Sequence, residues 1–375
     1  MLKMLDYVKM ANTRLSENLD RASELVSPLV DAYKASGCSA VRIVASGSSK
    51  NSADCARNYM QDALGVQVAV VTPEAFVDFE YAQPAGAFNI AISQSGYSTN
   101  TLAALDFMRE RAMPCVALTA NVEAPIKEHV DTVVDYGVGV ESVDFVTMGV
   151  QTLVEYLVLF AAYAARAMGR IDDAALEDRL ADVSCAVEAH KAMLDTAAAF
   201  VAEHRLALAQ RGPVMIVGNG PNFGVAEEAA LKFNETLKVP AMHHEGEEFV
   251  HGPEMQIAPG YRVFIIDDPA GSDRLAAISA ALGQVTEPSF FLTSHPHGKA
   301  GEISVPIVSP LLSALPNLVL FQYIAACLTE DLGCWDVHPF LDAVDDQMQV
   351  KAAGYKQSVR DLEARAAEVY GDAAS

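Results

Sequence analysis

The chain is poor in positive charge. Its 375 residues hold 26 Lys and Arg against 49 Asp and Glu, a formal net charge of −23. Sequence-independent nucleic-acid binding needs basic side chains to displace counterions, so nucleic acid is not an expected partner. An anionic membrane surface is argued against for the same reason. Any anionic ligand has to be held by local dipoles and hydroxyls against the global field. Paired cysteines are missing too. Cys38, Cys55, Cys115, Cys185, Cys327 and Cys334 stand singly, without CxxC spacing. That fits free thiols in a reducing, cytoplasmic compartment better than a disulfide framework or a zinc site. The N-terminus carries charges throughout and no uninterrupted apolar core, so no signal peptide is read there. The most membrane-like stretch, Val146–Ala165, is broken by Gln151 and Glu155 and reads as a buried helix. No low-complexity segment or flexible linker stands out.

What is present is a repeat. Val41–Gly47 and Val214–Gly220 are each an apolar strand running into a glycine turn, and an offset of 173 residues matches them without a gap. The same offset pairs Ala53 with Ala226, Leu64 with Leu237, Val66 with Val239, Glu74 with Glu247 and Leu102 with Leu275. Two homologous α/β lobes are implied. Strands are expected at Val41–Ala45, Val66–Val71, Asn89–Ile92, Cys115–Leu118 and Thr132–Val134. In the second copy they fall at Val214–Val217, Val239–Met242, Val263–Ile266, Phe290–Leu292 and Ile303–Ile307. Intervening helical stretches make each sheet parallel and covered on both faces, an αβα sandwich. The expected division is a helical lead-in over 1–36, a first domain over 37–170 and a helical bridge over 171–211. A second domain over 212–332 and a C-terminal tail over 333–375 follow, with a loop through 336–346.

Two hydroxyl-rich runs stand at expected strand ends in the first lobe: Ser46-Gly-Ser-Ser-Lys-Asn-Ser and Ser93-Gln-Ser-Gly-Tyr-Ser-Thr. Ligands bind at this edge of open parallel sheets, where hydroxyls and first-turn N–H groups can surround a phosphate. Helix N-capping explains one such hydroxyl equally well, and that alternative stays open here. Lys50 is either an added cation or a solvated side chain. The offset sets Ile266-Asp267-Asp268 against Ser93-Gln94-Ser95, exchanging hydroxyl donors for carboxylates. One phosphate pocket per chain is therefore expected, in the first lobe.

On these motifs the sequence resembles the sugar isomerase (SIS) domain family, as two tandem copies over roughly 35–330. It is most similar in arrangement to the isomerase half of glucosamine-6-phosphate synthase and to fructosamine-6-phosphate deglycases. The resemblance implies that Ser49, Ser93, Gln94, Ser95 and Ser98 hold a sugar phosphate, with Ser48 and Glu228 as further substrate contacts. In the second copy, Glu228-Ala-Ala-Leu-Lys-Phe-Asn-Glu235 places Glu235 on the family's proton-shuttling glutamate and Lys232 on an active-site lysine. Glu248-Phe-Val-His251-Gly-Pro places His251 on the ring-opening histidine. The family's C-terminal catalytic lysine falls nearest Lys351, with Lys356 as the fallback. A homodimer with a shared active site is implied, since this histidine loop is often donated by a neighbouring subunit.

The departures also count. No glutaminase-like segment is found, so glutamine-dependent synthesis is not expected. Of the synthase-like stretch over Gly139–Thr147, Glu141 and Thr147 are retained but little else. The implied activity is isomerisation, deamination or deglycation of a 6-phosphorylated amino sugar or fructosamine. The alternative is a non-catalytic sugar-phosphate sensor. The residue types suit the chemistry: a partly desolvated carboxylate beside a cation can move a proton between adjacent carbons, and histidine switches protonation near neutrality. Glu235 and Lys232 could equally be a surface i,i+3 pair, and His251 an ordinary loop histidine. His243, His244 and Glu254 match no ligand spacing, so neither a metal nor another cofactor is expected.

Overall fold

Short apolar runs that end in glycine or hydroxyl residues fold here as strands, within a residue or two of the expected limits at nine of ten sites. The structure, a computed structural model, describes residues 2–143, 145–336 and 341–371. Its first elements are α1 Met4–Asp20, α2 Ala22–Ser36, β1 Ala40–Val44, α3 Ser48–Leu64, β2 Gln67–Val71 and the single turn α4 Pro73–Ala75. Next come β3 Ala87–Ile92, α5 Thr99–Glu110, β4 Cys115–Thr119, β5 Val133–Asp135, α6 Met148–Ala167 and α7 Asp173–Leu208. The repeat then runs as β6 Val214–Gly218, α8 Pro221–Lys232, β7 Ala241–His244, the turn α9 Gly246–Phe249, β8 Arg262–Ile266 and α10 Asp273–Leu282. It closes with β9 Ser289–Thr293, β10 Glu302–Ser304 and α11 Ala314–Leu332, followed by α12 Leu341–Met348 and α13 Tyr355–Tyr370. The largest departure is β10, which stops at Ser304, two residues before Pro306.

Both sheets are parallel and have one topology: β2-β1-β3-β4-β5 and β7-β6-β8-β9-β10. The order in which strands are added reverses between β1 and β3 in one sheet and between β6 and β8 in the other. The carboxyl ends of β1 and β3, where both serine runs begin, are therefore the switch point at which such sheets take ligands. Register confirms the repeat and corrects its alignment. Val44 faces Val71 and Val217 faces His244, which keeps the offset of 173. Across the next pair Val44 faces Ala91 while Val217 faces Ile265, so the offset has become 174. An extra residue lies between β7 and β8, and Ser93 falls on Asp267 rather than on Ile266. A gapless comparison could not register that insertion.

The chain divides into two compact units. One comprises residues up to 53, 57–180 and the segment after 336; the other comprises 54–56 and 181–336. In the first, one sheet face packs Val44, Ala91 and Ala117 against Leu102, Leu105 and Met108 of α5. In the second, Met215, Val263 and Ile265 pack against Leu275, Ile278 and Leu282 of α10. Within the expected helical bridge over 171–211, residues 173–208 form one continuous helix, since no Gly or Pro interrupts them. The expected loop over 336–346 is partly helical, as α12 begins at Leu341; residues 337–340 and 372–375 of the tail lie outside the described residues.

Among the described residues two helices are long and apolar enough to cross a membrane, Met148–Ala167 and Pro310–Leu332, but 94% and 83% of their most apolar windows are buried within the protein. The first, α6, packs against α1 and α2 and carries Glu155 wholly inside. Neither carboxyl oxygen of Glu155 has a partner in hydrogen-bond geometry. Burial pushes the group well above the ordinary glutamate value, and nearby Asn18 offsets only part of that. An unfolded glutamate ionises above roughly pH 4.3, whereas this one stays neutral to higher pH, so stability falls as pH rises between the two. Glu155→Gln should therefore stabilise the chain by about 1–3 kcal/mol near pH 7.5, with the gain vanishing near pH 4, as read by urea unfolding across pH.

Candidate active-site residues

In the first lobe, β1 runs out into Ser46 and Gly47, and α3 begins at Ser48. Gly47 takes φ 56°, ψ −138°, and Gly220 repeats this before α8 with φ 54°, ψ −126°, a left-handed conformation that needs glycine. Ser48 and Ser49 thus occupy the first turn of α3. After β3, Ser93 still donates its N–H to the Leu118 carbonyl at 3.1 Å, and the loop then turns at Gly96. A Cβ at Gly96 would lie 2.5 Å from that of Ala124, so the loop packs down tightly.

Simple N-capping does not account for this run. Ser98 is the N-cap residue of α5, yet its hydroxyl makes no capping bond. It lies 3.1 Å from the Ser93 hydroxyl and accepts from Lys351 Nζ at 3.2 Å. The same ammonium donates to Ser95 Oγ at 3.3 Å, and that oxygen also accepts from the Tyr97 N–H at 3.2 Å. Gln94, expected at the phosphate, is engaged elsewhere. Its amide donates to Glu141 at 2.8 Å, and its oxygen accepts from the Tyr136 hydroxyl at 2.7 Å. The Glu141 carboxylate in turn accepts N–H groups of Thr147, Met148 and Gly149, closing the N-terminus of α6. Glu141 and Thr147, the two retained residues of the synthase-like stretch, therefore serve one helix end. Burial raises the Glu141 carboxyl above its ordinary value, and the Gln94 amide and the three N–H groups oppose this.

The path by which the tail reaches this loop is visible only in the fold. Ala352 donates its N–H to the Tyr97 carbonyl at 2.8 Å, and Thr99 donates to the Val350 carbonyl at 3.2 Å. The pairing is antiparallel between Ser98 and Lys351. Lys351 is thus the tail lysine that meets the serines, while Lys356 is exposed on α13. No local signal marks a contact across 253 residues of sequence.

In the second lobe the helix equivalent to α3 is not continuous. α8 passes at Phe233 into a π-helical turn, Phe233–Leu237, which carries Glu235. Such π turns often mark functional positions. The first lobe has Asp62 in regular helix there, paired with Arg179 at 2.9 Å. Lys232 and Glu228 are each 1% exposed, so the reading of a solvated surface pair fails. Lys232 Nζ lies 3.2 Å from Glu228 and 2.5 Å from Glu235, whose side chain is 27% exposed. Burial alone would push the ammonium down, but Glu228 first and then Glu235 more than offset this and hold it above the usual lysine value. His251 is exposed on the turn after α9; Gly252, at φ 140°, shapes that turn and donates to Glu254 at 2.7 Å. Among the described residues no hydrogen bond joins the His251 ring to Lys232 or Glu235.

The second lobe fills its own anion position from within. The Asp267 carboxylate accepts from the Ser272 N–H at 2.9 Å and from the Thr293 hydroxyl at 2.8 Å. Ser272 caps α10 through Leu275, in contrast to Ser98. Burial raises Asp267 and Asp268 above the ordinary aspartate value, and Asp267 adds to the rise of Asp268. Among the described residues no three His, Cys, Asp or Glu side chains are grouped to hold a metal.

The α/β topology is thus used twice, with hydroxyls at the switch point of one copy and a Glu–Lys–Glu cluster centred on a buried lysine in the other. Residues 37–166 match the SIS domain family, so the first lobe is a SIS domain, and the second repeats its topology. The chain is 28% identical over 313 residues to the glutamine–fructose-6-phosphate aminotransferase (isomerizing) of Caulobacter vibrioides, covering 78% of this chain. It spans about half the length of that relative, 50%. A protein of Clostridium difficile 630, provisionally described as a phosphosugar isomerase, superposes with a TM-score of 0.81 at 21% identity, covering 92% of this chain and 98% of that one. The C-terminal domain of the Francisella tularensis glucosamine-fructose-6-phosphate aminotransferase gives 0.72 at 16% identity, covering 90% and 98%.

Proposed function

We propose that this chain is a phosphosugar isomerase-type enzyme that isomerises, deaminates or deglycates a 6-phosphorylated amino sugar or fructosamine. The observation that carries the reading is the buried Lys232 between Glu228 and Glu235. A carboxylate that remains partly open to solvent yet touches a desolvated ammonium suits proton transfer between adjacent sugar carbons. Glu235 takes the proton from one carbon and returns it to its neighbour, and Lys232, 2.5 Å away, holds the carboxylate in position. His251 is assigned to ring opening, for which an exposed imidazole on a shaped turn is suited. The serines of the first lobe are assigned to the phosphate, as hydroxyls left free of helix capping. The relatives are named for fructose 6-phosphate, which agrees with this substrate class. A panel of 6-phosphorylated aldoses, ketoses, amino sugars and fructosamines, read by mass spectrometry, tests the proposal. Binding without conversion of any member would make the chain a sensor instead.

Ser95→Ala should weaken binding of a 6-phosphosugar by about 1.5–3 kcal/mol, the size of a charge-assisted hydrogen bond, and leave the unphosphorylated sugar unaffected. Equal losses in calorimetry would remove the phosphate from this loop. We also propose a homodimer whose active site is shared. Verified heterodimers of inactive Ser95→Ala and His251→Ala chains should then regain activity, and no recovery would mean that each chain builds its own site.

A further inference from the structure

We propose that Lys351 is the cation of the phosphate seat, and that bound phosphate latches the tail segment carrying it, residues 349–352, onto the loop after β3. This rests on the phosphate reading above and goes beyond it. The resemblance to the synthases would make this lysine a catalytic group; the geometry gives it an electrostatic task.

The chain is strongly acidic, and the serine seat offers only hydroxyls and backbone N–H groups, which are dipoles without net charge. A dianion held there needs a cation at close range. Among the described residues, the only cation hydrogen-bonded to Ser93, Ser95 or Ser98 is Lys351, at 3.3 Å from Ser95 and 3.2 Å from Ser98. Its ammonium has no carboxylate partner among the described residues and stands 5.0 Å from the Tyr355 ring. Burial accordingly depresses its pKa, with no opposing anion to restore it. A desolvated ammonium facing two hydroxyls is a half-built ion pair, because hydroxyls satisfy its protons but cannot balance its charge. A phosphate between the serines would supply that balance.

The lysine is delivered by backbone pairing. Ala352 donates to Tyr97, Thr99 donates to Val350, and the Thr99 hydroxyl donates to the Gln349 carbonyl at 2.8 Å. The Tyr97 ring also meets that of Tyr355, at the start of α13, with centroids 5.7 Å apart and planes tilted by 57°. These contacts flank the serines, so whatever binds the ammonium to the seat also strengthens the pairing. Linkage makes the reverse hold: a docked tail binds the anion more tightly.

The test uses the full chain with inorganic phosphate as probe. Calorimetry on Lys351→Met should show affinity weakened by roughly tenfold or more, the loss of one charged contact. Ala352→Pro leaves the lysine in place but removes the N–H bonded to Tyr97, and should weaken phosphate by at least several-fold. In the wild type, saturating phosphate should slow amide exchange at Ala352, and in Lys351→Met it should not. Wild-type phosphate affinity in folded Lys351→Met, with Ser95→Ala impaired, would overturn the lysine's part while leaving the seat in the serine loop. Wild-type affinity in both variants would remove the seat itself and the proposed substrate class with it.

Discussion

Glu235→Gln is expected to lower turnover by roughly 10²–10⁴-fold, the usual contribution of a general base, while substrate affinity and stability stay near wild type. The amide is nearly isosteric and keeps an oxygen that can accept from Lys232, 2.5 Å away in the wild type. The π turn over Phe233–Leu237 depends on backbone bonding and needs no charge at Glu235. Only the capacity to take a proton is lost. Steady-state kcat, with ligand affinity measured separately by calorimetry, isolates that step. Turnover within a few-fold of wild type would pass the role of base to another group.

Lys232→Met should cost about 3–5 kcal/mol of folding stability, the range for removing one partner of a buried ion pair. Glu228 is 1% exposed, and without its ammonium at 3.2 Å the carboxylate must either remain charged in the interior or take up a proton. Glu235, more exposed, can turn to water. The loss should therefore be largely reversed by adding Glu228→Gln, since replacing both members of a buried pair by neutral groups of similar volume is often close to neutral. Denaturant unfolding of the single and double variants measures the difference. A double variant no more stable than Lys232→Met alone would locate the cost in lost packing of the lysine's methylene chain instead. Activity should be absent from both variants, which separates the stabilising use of the cluster from its chemistry.

Ser93 and Ser98 were legible as hydroxyls following an expected strand end, whereas Lys232 and Glu235 were singled out by the family resemblance and read from the residues alone as no more than an i,i+3 pair. Several neighbours were not legible. Gln94 stands inside the serine motif, yet its amide is engaged by Glu141 and Tyr136, both more than 40 positions along the chain. The Ser93–Asp267 equivalence required the register of β3 and β8, because a single inserted residue leaves most similarities of a gapless match intact. The π turn at Glu235 has no signature in residue type: Asp62 and Glu235 follow similar helical patterns, and only backbone geometry separates them.

By itself the sequence determined two parallel α/β lobes, their hydroxyl and carboxylate endowments, and the absence of charge suited to nucleic acid. These follow from short-range causes: apolar periodicity selects strand or helix, and glycine permits the turns that precede α3 and α8. Tertiary structure alone decided which charges are desolvated and which side chains are engaged by distant partners. Lys232 is a buried hub rather than a surface residue because sheet and helices close over it. Lys351 reaches Ser95 and Ser98 because a tail segment bridges to a loop some 250 residues earlier, a contact that loop closure leaves unmarked in any local stretch of chain.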